Sequence, residues 1–134
     1  MVRRISHLGI AVKDLAASEA LFKLLLGQGN VHHEEVGDQG VRISSIRLGD
    51  SLIELTEASR PDSPIARFLE KRGEAIHHLA IEVDDIQSEL DRLEAAGIEL
   101  IDRRPRKGAH GMMVAFLHPK STNGVLIELC QPEA

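Results

Sequence analysis

The chain repeats itself. The segment Ile5-Ser6-His7-Leu8-Gly9-Ile10-Ala11-Val12-Lys13-Asp14 aligns without a gap on Ile76-His77-His78-Leu79-Ala80-Ile81-Glu82-Val83-Asp84-Asp85. Ile5/Ile76, His7/His78, Leu8/Leu79, Ile10/Ile81, Val12/Val83 and Asp14/Asp85 match. Leu52-Ile53-Glu54-Leu55 returns as Leu126-Ile127-Glu128-Leu129. The first echo is offset by 71 residues and the second by 74, so the halves differ by a short loop. A repeat of this kind implies two related supersecondary units that share a core. At 134 residues the chain has room for one such domain.

Each half reads as βαβββ. His7 to Val12 alternates as a half-buried strand, with Leu8, Ile10 and Val12 expected on a helix-covered core face. Asp14 is placed to cap a helix over 15–26 that Gly27 closes. Residues 41–48 and 51–56 read as a hairpin across Gly49-Asp50. In the second half 78–83 is a strand, Asp85 caps a helix carrying Ile86, Leu90 and Leu93, and Gly97 stops it. Strands are expected at 98–102, 113–117 and 125–130. Between the halves, Ser63 and Pro64 have the residue types of an N-cap and first helical position for a short helix ending at Gly73. The expected architecture is α+β: two βαβββ modules, 1–58 and 76–134, joined by a connector helix at 59–75. They form a curved mixed sheet with helices on its outer face.

Composition removes several classes of function. The net charge is −5 and aromatics are 2%, with no Trp or Tyr, so neither a basic footprint nor a base-stacking platform for nucleic acid is present. No apolar run nears the length of a membrane span, and residues 1–7 lack the apolar core of a secretory signal. A single cysteine excludes an intrachain disulfide and points to a reducing cytoplasm.

Side chains alternate across a strand, so the face opposite Leu8, Ile10 and Val12 carries His7, Gly9 and Ala11. In the matching strand it carries His78, Ala80 and Glu82, and in the closing strands Glu54 and Glu128. Two histidines and two glutamates at repeat-related positions, beside small residues, suit a divalent cation. A solvated sheet face is the alternative. His77 has core parity, and His32 and His33 beside Glu34-Glu35 read as a solvated edge strand. Gly108-Ala109-His110-Gly111 and the turn from His118 to Gly124 are either ligand-approaching loops or plain turns. Cys130 shares the facing of Glu128 and reads as filler. Arg103, Arg104, Arg106 and Lys107 are either a solvated run or an anchor for a phosphorylated ligand.

The paired halves with His7, Glu54, His78 and Glu128 resemble the vicinal oxygen chelate superfamily, which includes glyoxalase I, extradiol dioxygenases and bleomycin resistance proteins. Within it, the chain is similar to the methylmalonyl-CoA epimerase family over nearly its whole length. The matching motifs are 7–12, 48–50 with 53–55, Asp62-Ser63-Pro64-Ile65-Ala66, 76–78 with 82–86, Gly108-Ala109-His110-Gly111, and 116–121 running into 124–129. The resemblance implies a metal-dependent isomerase that interconverts (R)- and (S)-methylmalonyl-CoA through an enolate. It implies His7, Glu54, His78 and Glu128 as ligands to one divalent ion (Co, Zn, Ni or Mn), Glu128 as the base, and a homodimer. Gly108, His110, Lys120 and Ser121 are expected to contact the acyl-CoA. The second acid–base group is open among Glu35, Asp38 and Glu54, because the stretch 41–44 holds no carboxylate. The competing expectations are a glyoxalase I-type isomerase or extradiol dioxygenase, and a non-catalytic small-molecule binding protein.

Overall fold

The computed structural model describes residues 1–133. Its elements are β1 (Val2–Ala11), α1 (Leu15–Leu26), β2 (Val31–Val36), β3 (Val41–Leu48), β4 (Ser51–Ala58), α2 (Pro64–Arg72), β5 (Ala75–Val83), α3 (Ile86–Ala95), β6 (Arg106–Lys107), β7 (Met112–Leu117) and β8 (Ile127–Pro132). The order βαβββ therefore runs twice, on either side of α2, in the glyoxalase-like α+β plan. Contacts divide the chain into two compact units, Leu8–His77 and Met1–His7 with His78–Ala134, and β1 contributes residues to both.

In the unit Leu8–His77, β2, β3 and β4 are joined in antiparallel pairs, with β2 at the edge. The β3–β4 register sets Ser45 opposite Glu54 and Ile43 opposite Thr56. Gly49 turns this hairpin at φ 60°, in the left-handed region where a glycine carries no Cβ penalty. The caps form as their residue types dictate. Asp14 accepts a hydrogen bond from Ala17 N–H at 3.0 Å, and Ser63 accepts one from Ala66 N–H at 3.1 Å. Gly27 adopts the left-handed conformation and its N–H donates to the Lys23 carbonyl. Val12, Val41, Ile43, Ile46, Leu55 and Ile65 are buried.

In the other unit, the start of β1 neighbours β5, followed by β8, β7 and β6. β5 and β8 are parallel with Ala80 opposite Glu128, and β7 and β8 are antiparallel with Phe116 opposite Glu128. Asp85 caps α3 by accepting from Ser88 N–H at 3.1 Å. The helix lays Ile86 and Leu90 onto Val83, Ala115, Leu117 and Leu129. A second apolar cluster, Ala80, Val114 and Cys130 with Met112, covers the opposite strand face.

Two expectations need correction. The segment 98–102 is not a strand; Leu100 makes an isolated bridge to Leu117. The N–H groups of Ile101 and Asp102 both donate to the Phe116 carbonyl, and the Asp102 carboxylate accepts the Phe116 N–H. The ladder is thus replaced by a side-chain clasp, and Pro105 further on lacks a donor to resume it. The strand that does form there, β6, is two residues long. The face expected to be core is also only partly covered: Val12 is buried but Leu8 and Ile10 are only partly so, while His7, Gly9 and Ala11 on the opposite face are buried.

Candidate metal centre

The donors come from strand positions fixed by alternation and register. His7 lies on β1, His78 on β5 and Glu128 on β8, and all three side chains are buried. Parallel pairing of β5 with β8 sets Ala80 beside Glu128, two residues along from His78 on the same face. His7 Nε2 lies 3.1 Å from His78 Nε2. Glu128 Oε1 lies 3.4 Å from His7 Nε2 and 3.1 Å from His78 Nε2. The imidazoles meet edge to face, with centroids 5.1 Å apart and planes at 89°. Ser6 Oγ is 3.0 Å from His7 Nδ1, an interaction that steadies the ring with Nε2 turned towards His78.

Three Lewis-basic atoms therefore converge in a buried spot. Neutral imidazole lone pairs and a carboxylate oxygen repel one another at such distances unless protons or a cation lie among them. Burial pushes the Glu128 carboxyl up, but hydrogen bonds from His7 and His78, and then their charge, outweigh it and bring the group down to about 2. The carboxylate is ionised at neutral pH. The donor set fits a divalent ion. Donors about 2.1 Å from a metal stand roughly 3.0 Å apart at right angles and roughly 3.4 Å apart at the tetrahedral angle. The observed separations fall in that interval.

Glu54 sits on β4 in the unit Leu8–His77, buried and opposite Ser45. Of the candidates for a second acid–base group, Glu35 and Asp38 are exposed and Glu54 is buried. Glu82 is also buried, and Arg4 holds it at 3.1 Å. Cys130 is buried with Sγ 3.6 Å from the Ile81 carbonyl, consistent with filler. His77 is half-buried and packs edge-on against Phe68 of α2. His33 pairs with Glu19 on the exposed edge strand. His110 occupies a left-handed turn at φ 61°, two residues after Gly108 and directly before Gly111. Lys120 Nζ is 3.2 Å from Glu99, and Ser121 Oγ accepts the Glu99 N–H at 2.9 Å. Within the basic run, Arg103 pairs with Glu94, Arg106 with Asp102 and Lys107 with Glu133.

Ser6 and Phe116 escaped sequence reasoning. Phe116 meets the His78 ring edge-on, with centroids 5.8 Å apart. Its signal was parity: it faces Glu128 across the β7–β8 ladder, which requires knowing the register.

Residues 6–116 match the Glyoxalase/Bleomycin resistance protein/Dioxygenase superfamily, and the chain belongs to that superfamily. Among the relatives of high identity are several methylmalonyl-CoA epimerases. The ethylmalonyl-CoA/methylmalonyl-CoA epimerase of Cereibacter sphaeroides is 43% identical over 98% of this chain and 99% of its own length. The mitochondrial methylmalonyl-CoA epimerase of Homo sapiens is 39% identical over 96% of this chain and 73% of its own. A solved structure of methylmalonyl-CoA epimerase in complex with methylmalonyl-CoA and ammonium superposes with a TM-score of 0.95. It is 34% identical, covering 100% of this chain and 97% of that one.

Proposed function

We propose that the chain is an isomerase that interconverts (R)- and (S)-methylmalonyl-CoA by moving the proton at C2, with a divalent ion held by His7, His78, Glu128 and Glu54. The observation that carries this reading is the buried convergence of His7, His78 and Glu128. The relatives above, all epimerases of this substrate class, support the acyl-CoA. The fourth ligand rests on the sequence echo of Glu54 with Glu128 and on its burial.

The C2–H bond lies between a thioester carbonyl and a carboxylate, so its loss gives an enolate. A bound divalent cation would supply Lewis acidity that lowers the cost of that developing charge by several kcal/mol. Glu128, ionised and buried, is the group assigned to take the proton. Inversion needs return of a proton to the opposite face, and of the candidates Glu35, Asp38 and Glu54 only Glu54 is buried. Ser6 steadies the His7 imidazole. Gly108, His110, Lys120 and Ser121 are assigned to the acyl-CoA; the exposed ammonium of Lys120 supports this. The modules 1–58 and 76–134 and the connector 59–75 act in this reading as one domain in the cytoplasm. No helix among the described residues is long and apolar enough to cross a membrane. A homodimer is the assembly assigned by analogy with the family, and the exposed Leu21, Leu24 and Leu25 of α1 support self-association.

The test is exchange of the C2 hydrogen of methylmalonyl-CoA for solvent deuterium. Glu128→Gln and His78→Ala are expected to lower its rate by about 10²-fold or more. Undiminished exchange in Glu128→Gln would remove Glu128 from the reaction, and exchange only into glutathione hemithioacetals would move the chain to the glyoxalase I class.

A further inference from the structure

An imidazole on a strand has a broad terminal torsion and holds one orientation only when its surroundings fix it. His78 has such a surrounding in three residues that the reading above leaves without a role. Phe116, opposite Glu128 on the β7–β8 ladder, meets the His78 ring at 5.8 Å between centroids and 83° between planes. That is an edge-to-face contact within the favourable range for aromatic pairs. The guanidinium carbon of Arg106 stands 5.8 Å from the centroid of the same Phe116 ring, within cation–π reach. Asp102 ties the two together: its Oδ1 lies 3.4 Å from Arg106 Nε, and its Oδ2 accepts the Phe116 N–H at 2.9 Å. One carboxylate thus fixes both the backbone that carries the ring and the cation over it. This clasp is also the feature that takes Asp102 out of the expected strand.

We propose that Phe116, braced by Arg106 and Asp102, is a positioning residue that holds the His78 imidazole in its metal-binding orientation. The proposal rests on the metal reading of His7, His78 and Glu128. It also gives one member of the basic run a defined task inside the protein. Packing partners of ligating imidazoles act by restricting ring orientation, and their loss weakens metal binding while the ligand itself stays in place.

The experiment titrates the metal-free full chain with Co²⁺ by calorimetry and follows the His78 ring protons by NMR before metal is added. Phe116→Leu is expected to weaken Co²⁺ binding by about 10-fold. Arg106→Ala is expected to weaken it by about 3-fold, with partial rescue in Arg106→Lys, which keeps the cation but not the planar group. In the metal-free protein, the His78 ring resonances should lose their ring-current displacement in Phe116→Leu and shift part of the way in Arg106→Ala. Arg106 is nearly half exposed, so its variants fold and carry the test if Phe116→Leu does not. Co²⁺ affinities within about twofold of wild type in both Phe116→Leu and Arg106→Ala would overturn the proposal. So would unmoved His78 resonances in Arg106→Ala. Failure of the wild-type chain to bind Co²⁺ would instead overturn the metal reading, and the metal-free resonances would still decide whether Phe116 orders His78.

Discussion

Glu128 shows how a single residue can be both buried and ionised. Its burial alone would favour the neutral acid; the two imidazoles at 3.1 and 3.4 Å reverse that preference. The linkage has a definite sign. The folded-state value is depressed from 4.5 to about 2, so the carboxylate contributes stability that is fully present above about pH 4.5. That contribution is lost as the pH falls towards 2. Metal-free wild type and Glu128→Gln, melted thermally from pH 5 down to about 2, should therefore converge in stability as the pH drops. Parallel curves would contradict the coupling to His7 and His78. Thr56 makes the opposite case. Its hydroxyl oxygen is buried without a hydrogen-bond partner, across from apolar Ile43. Thr56→Val removes an unsatisfied polar atom at constant shape, and denaturant unfolding should show a gain of about 1 kcal/mol. A loss would mean that the hydroxyl is satisfied in solution.

At the scale of elements, the helices were legible because their signals are local. Asp14, Ser63 and Asp85 cap as their residue types and positions require, and Gly27 ends α1. The segment 98–102 was not legible. Ile98 and Leu100 alternate like a strand, but the backbone donors beyond them are taken by one carbonyl, and the Asp102 side chain substitutes for the ladder. β1 begins earlier than its alternation suggests because Arg3 and Arg4 bind Asp84 and Glu82, a pairing that no local pattern announces. Two elements dock in different ways, and variants should report the difference. α3 is anchored by Leu90, which is fully buried. Leu90→Ala should cost about 3 kcal/mol in denaturant unfolding, and a cost below about 1 kcal/mol would show that the site collapses around the cavity. α1 buries no residue. Glu19 ties it to the unit, accepting from Ser44 Oγ at 2.8 Å and pairing with His33. The Ser44 hydrogen bond, against the effect of burial and with help from His33 and Lys23, holds the Glu19 carboxyl below its ordinary value. Glu19→Ala should leave Ser44 without this partner and speed amide exchange in α1 more than in α3. Equal protection of both helices would mean that α1 docks by apolar contact alone.

For the whole molecule, the echo between halves was the most informative reading, because repetition marks positions that a single strand leaves ambiguous. His7, His78 and Glu128 could be named from it before any register was known. What supports them could not. Phe116 is placed by strand register, and although Ser6 adjoins His7 and Asp102 lies four residues from Arg106, nothing in that spacing marks them as supports. The burial of the His7 and His78 face was likewise hidden, since small residues such as Gly9 and Ala80 suit an open face and a covered one equally. The central claim is that a buried His/Glu cluster holds a divalent ion on which proton transfer at C2 depends. The direct measurement is solvent deuterium exchange at C2 of methylmalonyl-CoA by chelator-stripped protein, before and after Co²⁺ is restored. Exchange that is lost on stripping and recovered with about one equivalent of Co²⁺ per chain is the expected result. Undiminished exchange by the stripped protein would contradict it.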